Sequence, residues 1–255
     1  HLRVPMEPKA AIDIINQGNR VCIDYGKINN IPFFCTCGVG FDAFVSLKFA
    51  DSGKRGLLTY LENTLHESLT YQPETYEIEN EEGTVKYKAF LIACGNASQY
   101  GNNAYITPHA SLTDGLMDIT IMEPFTVLDV PSLSFQLFNK TLDQNSRIKT
   151  MRAKKIKIHR QHDGVMHFDG DPLMAGKELE VEIIPAGLQV IASPEKRSKE
   201  ENENLLQVIS NYFSGLHLKG EEMLAKRQSH LFELNRNLLG KLSKNKTTSS
   251  NRNHE

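Results

Sequence analysis

The chain has 255 residues, of which 40% are hydrophobic and 24% charged, and a formal net charge of −2. That length holds one large or two ordinary domains, and the composition is that of a folded globular protein. The near-neutral balance argues against wholesale electrostatic binding of nucleic acid, and no apolar stretch approaches the roughly 20 residues of a membrane span.

"EPKAAIDIINQG" (7–18) reads as a short helix, with Pro8 near its start, Gly18 at its end, and Ala11, Ile12 and Ile15 on one face. Two β-rich runs between 20 and 40 flank Lys27-Ile28-Asn29-Asn30, the pattern of a hairpin. "FDAFVSLKFADS" and "GLLTYLENTLHESLT" fit two helices separated by Ser52-Gly53-Lys54-Arg55. From residue 74 the apolar period becomes two: "ETYEIENEEGTVKYKAFLIACGN" gives a strand, an acidic turn with Gly83, and a strand. "GLMDITIMEPF" is a further strand, and "TVLDVPSLSFQLFNKTL" a helix interrupted or started at Pro131. "MRAKKIKIHRQHDGVMHFDGD" alternates basic and apolar residues, turns at Asp163-Gly164 and returns. "KELEVEIIPAGLQVIAS" adds two short strands split by Pro185-Ala186-Gly187. Many antiparallel strands with few helices predict a mainly β fold, an antiparallel β-sandwich with inserted helices, rather than a doubly wound sheet.

The domain organisation follows. Residues 1–19 hold the first helix, and 20–193 the sandwich. Residues 194–245 form a helical extension, with apolar positions at Leu205, Ile209, Tyr212 and Leu216, then Leu231, Leu234, Leu238 and Leu242. Residues 246–255 are almost devoid of apolar side chains and are expected to be disordered. Cys22, Cys35, Cys37 and Cys94 lie in apolar, strand-like runs and read as buried, reduced thiols of a cytoplasmic protein. No signal peptide is visible, and His1 in place of methionine leaves the natural start open.

Four glycine-bearing segments are the candidates for chemistry. "CGVGFDA" (37–43) ends a strand at Gly38 and Gly40 and opens a helix that Asp42 is placed to cap. "ACGNASQYGNNAYITPHA" (93–110) is a polar loop after an apolar strand. "ASLTDGLMDI" (110–119) sets Asp114 and Asp118 around a glycine; from spacing alone a capped turn outweighs a cation site. "VMHFDGDPLMAG" (165–176) sets Asp169 and Asp171 around Gly170 at a strand end, with His159, His162 and His167 nearby. No zinc-like spacing accompanies them, so spacing alone favours a hairpin with surface histidines.

Taken together, "IDYGKIN", "CGVGFDA", "LIACGNASQYG", "ASLTDGLMDI" and "HFDGDPL", in this order, resemble the C-terminal half of the diacylglycerol-kinase-like bacterial lipid kinase family, related to the sphingosine kinases. The resemblance spans residues 1–193 and implies a β-sandwich over about 20–190. It implies Asp169 as a general base for phosphoryl transfer and Asp171, where relatives usually carry glutamate, as an organiser of metal and nucleotide. It matches Asp114 and the Leu116 carbonyl to a structural magnesium, with Ser111 where relatives supply a further ligand. The cofactors implied are Mg2+ and ATP. The family holds ATP mainly on a preceding domain with a Gly-Gly-Asp-Gly loop, and this sequence has no such loop and no Walker-type loop. The first helix is then the piece that follows that domain, and the chain by itself is expected to be inactive.

The function so implied is transfer of the ATP γ-phosphoryl group to a lipid hydroxyl, on diacylglycerol or a sphingoid-like acceptor. Two other readings remain: a related kinase with a soluble acceptor such as NAD, and a non-catalytic lipid- or metal-binding module. The expected partners are ATP and a lipid at a membrane surface, with no nucleic acid and a homo-oligomer possible. The expected location is the cytoplasm, peripheral to the membrane.

Overall fold

The computed structural model describes residues 1–52, 71–101 and 103–193. The second helix expected after Arg55, the helical extension and the tail lie outside the described residues.

Helix α1 (Pro8–Gln17) begins where the Glu7 carboxylate accepts from the Lys9 and Ala10 N–H groups, and ends at Gly18 in the left-handed region. Its packed residue is Ile14; Ile12 and Ile15 are 55% and 54% exposed, so the apolar face lies elsewhere than expected. Strand β1 (Arg20–Ile28) turns back through Asn29-Asn30, both at positive φ, into β2 (Ile31–Phe33). Positive φ at both central residues is the two-residue turn whose twist suits a hairpin, and asparagine tolerates it. Then follow β3 (Thr36–Gly40), α2 (Phe41–Ser52), β4 (Glu74–Asn80), β5 (Gly83–Ala89), β6 (Leu91–Gly95) and β7 (Met117–Met122). Helix α3 (Val130–Phe138), with Pro131 in its first turn, leads to β8 (Ile148–Ala153), β9 (Lys155–Arg160), β10 (Gly164–Phe168), β11 (Asp171–Ala175) and β12 (Glu178–Ile191).

The strands form two six-stranded sheets, in the orders β2-β1-β12-β9-β4-β5 and β11-β10-β3-β6-β7-β8, with antiparallel pairing throughout. This is the expected sandwich. Its core lies between the sheets: Ile28, Tyr76, Ile78, Ile156, Ile158 and Val181 from the first meet Val39, Ile92, Met117, Ile119, Ile121 and Met166 from the second. Alternate residues point outward, and the two outer faces differ. On the first sheet they are charged and cross-paired, as in Lys86–Glu77 at 2.8 Å and Lys155–Glu180 at 2.7 Å. On the second sheet many are apolar and covered by helices: Phe41 and Val45 of α2 and Leu133 of α3 pack with Phe90, Leu91 and Ala93 in a second cluster.

Three expected local patterns are resolved differently. The long run ending at Gly95 is two strands, because the chain leaves the first sheet at β5 and enters the second at β6, with Phe90 between. β9 and β10 do not pair across Asp163-Gly164: β9 lies between β12 and β4, and β10 between β11 and β3. The last run is one strand of 14 residues rather than two, with an irregularity where Ala186 takes φ 48°.

The β9–β10 crossover is secured by Arg160. Its guanidinium is buried and donates to four carbonyls: Gly176 (3.0 Å), Val165 (3.0 Å), Gly164 (2.7 Å) and Ala175 (2.7 Å). A side chain ending the first sheet's β9 thereby grips the open end of the β10–β11 hairpin in the second sheet. Burial draws its pKa down, yet arginine stays charged, and carbonyl dipoles rather than carboxylates solvate it. Arg160→Met should cost about 3 kcal/mol or more, since it strands buried acceptors. Urea unfolding measures this, and a loss under about 1 kcal/mol would place the hairpin's support elsewhere.

Candidate active site

Asp169 and Gly170 form the two-residue turn between β10 and β11, with φ 49° and 91°. An Asp-Gly pair suits this turn for the same reason as Asn29-Asn30. The turn aims the Asp169 carboxylate at the segment where the chain crosses from β2 to β3. Oδ2 accepts from the Phe34 N–H at 2.7 Å, and Oδ1 from the Cys35 and Thr36 N–H groups at 2.7 and 3.1 Å. The Asp169 N–H in turn donates to the Thr36 carbonyl at 2.8 Å. A carboxylate offers about four lone-pair positions, so one on Oδ2 remains for a further donor. Asp171 is exposed at the first residue of β11, opposite Phe168. The two aspartates therefore share one hairpin tip. Phe34, whose N–H is one of the three that hold Asp169, is 44% exposed; Leu173 and Met174, consecutive on the edge strand β11 and so on opposite faces of it, are exposed as well.

Two residues before Asp169, His167 points to the outer face of the second sheet. Its Nε2 lies 3.0 Å from Asp42 Oδ2, which also accepts from the Tyr100 hydroxyl at 2.9 Å. His167 is 2% exposed and is not the surface histidine that spacing suggested; its Nδ1 has no partner. Asp42 sits inside the first turn of α2, where its other oxygen accepts from the Ala43 N–H. Gly38, paired with His167 across the strands, makes this approach possible. A Cβ there would stand 2.6 Å from the Ile92 carbonyl oxygen and 2.7 Å from Asp42 Oδ2.

Asp114 lies in the loop before β7. Its Oδ1 accepts from the Leu116 N–H at 3.1 Å, and its Oδ2 pairs with the Arg152 guanidinium. Arg152 Nε also reaches Asp118 Oδ2 at 3.2 Å. Burial pushes the Asp118 carboxyl up, against the pull of Arg152. This arrangement does not fit a magnesium ion: both Asp114 oxygens are engaged, and a cation already bridges Asp114 and Asp118. Among the described residues no group of three or more His, Cys, Asp or Glu could hold a metal. The same loop is tied from beneath by Asp24, whose carboxylate accepts from the Gly115 and Ala186 N–H groups, each at 2.7 Å.

Spacing did not reveal Asp24, Asn96, Tyr100 or Arg160. The signal available was a polar residue inside an apolar run, as with Asp24 in "CIDYG" and Asn96 after "LIACG". Asn96 holds the Asp24 and Phe34 carbonyls through Nδ2 at 2.9 and 2.8 Å. Of the four free cysteines only Cys37 and Cys94 are buried, facing one another across β3 and β6; Cys22 and Cys35 reach the surface, so burial holds for half of them. Among the described residues no helix is long and apolar enough to cross a membrane.

Two antiparallel sheets, with an acidic hairpin tip clasped by the crossing between them, define a β-sandwich domain with a polar site at one end. Residues 35–192 match the family model of the YegS C-terminal NAD kinase beta sandwich-like domain, and the chain belongs to that family. The probable lipid kinase YegS of Escherichia fergusonii is 27% identical over 195 residues, covering 75% of this chain and 64% of that protein. Its namesake in Shigella boydii aligns with the same identity and coverage. The chain thus spans 64% of the length of these curated relatives. A crystal structure of a putative diacylglycerol kinase from Bacillus anthracis shares the fold, with a TM-score of 0.59 and 18% identity over 76% of this chain and 63% of that one.

The Asp42–His167 contact generates a prediction. Asp42→Ala leaves both nitrogens of a buried imidazole unpaired and should cost on the order of 2–4 kcal/mol. Denaturant midpoints test it. A neutral outcome would mean that water replaces the carboxylate.

Proposed function

We propose that the chain is the acceptor-side domain of an ATP-dependent lipid kinase, with diacylglycerol or a sphingoid-like alcohol as acceptor. The observation that supports this best is the Asp169 carboxylate, fixed by three backbone N–H groups with one Oδ2 position left open. A lipid hydroxyl is a poor nucleophile at neutral pH. In this reading its proton passes to Asp169 Oδ2 as its oxygen bonds to the γ-phosphorus and the bond to the ADP oxygen breaks. A magnesium ion bound with ATP would supply charge neutralisation at the phosphates. Asp171, exposed on the same tip, would help to hold that ion or the nucleotide. Asp169 is held rigid, so its share of the chemistry is position as much as basicity.

Phe34 favours a lipid acceptor over a soluble one: it exposes an apolar ring on the residue whose N–H holds the carboxylate, where an acyl chain gains by leaving water. The charged outer face of the first sheet offers nothing comparable. ATP would be held mainly by a separate nucleotide-binding domain, and the enzyme would act on lipid from the cytoplasmic side of a membrane.

In an enzyme carrying that domain, Asp169→Asn should lower lipid phosphorylation by about 10²–10⁴-fold at saturating ATP. Asp171→Asn should be partly restored by high magnesium, and Asp169→Asn should not. The amide also turns a donor toward backbone donors, so Asp169→Asn should cost about 1–3 kcal/mol of stability. Near wild-type turnover by a folded Asp169→Asn enzyme would sink the base assignment.

The 255-residue chain alone should give no specific heat when titrated with ATP. A micromolar Kd would put the nucleotide site within it.

A further inference from the structure

The loop before β7 is the place where the family resemblance implies a structural magnesium, and it is closed by a side chain. We propose that Arg152 takes the place of the divalent cation there, so that the Asp114 loop is held without metal.

The register makes the substitution possible. Arg152 on β8 lies directly opposite Asp118 on β7, and Asp114 lies one residue before the Gly115 turn that feeds that strand. One guanidinium edge therefore meets two carboxylates, through Nε to Asp118 and Nη2 to Asp114. Two carboxylates this close repel one another unless a cation stands between them. A planar guanidinium supplies that charge in a fixed geometry, carried on a strand that is already ordered. A lysine would bring one point charge and a flexible stem.

The N–H groups of the loop are committed as well. The Leu116 N–H, rather than its carbonyl, meets Asp114, which fixes the carboxylate on the loop. Asp24 holds the Gly115 N–H from the first sheet. Magnesium demands near-octahedral oxygen geometry and sheds its water reluctantly. To enter here it would have to expel the guanidinium or accept a positive neighbour within a few ångströms, and either outcome is unfavourable. The cation on Arg152 does for the loop what an ion would do: it cancels the repulsion between Asp114 and Asp118 and ties β8 to the entrance of β7.

The experiment compares melting temperatures of the whole chain in chelator and in millimolar magnesium or calcium. The wild type should melt at the same temperature in all three. Arg152→Ala should melt about 2–4 °C lower in chelator. Magnesium or calcium should return part of that loss, because Asp114 and Asp118 are then free to take the ion. The Arg152→Ala, Asp114→Ala double variant should gain nothing from either ion. Arg152→Gln reads the same effect with a side chain of similar length, should the alanine variant fold poorly. A wild type stabilised by magnesium, with that gain abolished in Asp114→Ala, would overturn the proposal. So would an Arg152→Ala chain with no loss in chelator, or one that loses stability and recovers none of it with either ion.

Discussion

The β10–β11 hairpin is gripped at both ends by a charge that the backbone neutralises. At its open end the Arg160 cation gathers four carbonyls, and at its tip the Asp169 anion gathers three N–H groups. The two grips are complementary: a cation satisfies acceptors, and an anion satisfies donors, at places where strands change sheets and regular pairing stops. The first joins β9 of the first sheet to the hairpin, and the second joins the hairpin tip to the segment that crosses from the first sheet into the second. The placing of the hairpin and the aim of its acidic tip thus depend on this pair of grips.

The two faces of the sandwich divide the remaining work. The first sheet turns a ladder of lysine and glutamate to solvent, which keeps its strands in register and apolar partners away. The second sheet is roofed by α2 and α3 over apolar side chains, and the polar cluster of Asp42, His167 and Tyr100 sits beneath that roof. Gly38 is the space that lets this cluster form. A helix start, a strand interior and a loop are thereby locked together immediately behind the hairpin tip.

Much of the architecture was legible in the sequence where the signal is local. Gly18 ends α1, Asn29-Asn30 turns β1 into β2, and Pro131 opens α3, each because backbone geometry selects the residue. What stayed hidden is where the chain changes sheets. Period-two alternation is the same within one sheet and across a crossover, so β5 and β6 read as one strand and Asp163-Gly164 read as a hairpin turn. The site was legible only in part for a related reason. Asp169 and Asp171 announced themselves through the five motifs in order, but Arg160, Asp24 and Asn96 act on backbone atoms, which carry no sequence identity. His167 and Asp42 meet across 125 positions of chain, and no spacing rule reaches that far.

The left-handed backbone at Asp169 narrows the alphabet at that position. Aspartate and asparagine enter this region readily; a longer side chain pays roughly 1–2 kcal/mol to do so. Glutamate at 169 would also carry its carboxylate one methylene past the three N–H groups. At 171 the backbone is ordinary strand, with no such toll and no such clasp. Two acidic residues separated by a single glycine therefore stand under different backbone rules: one is confined to a short side chain by the turn it makes, and the other has room for aspartate or glutamate alike.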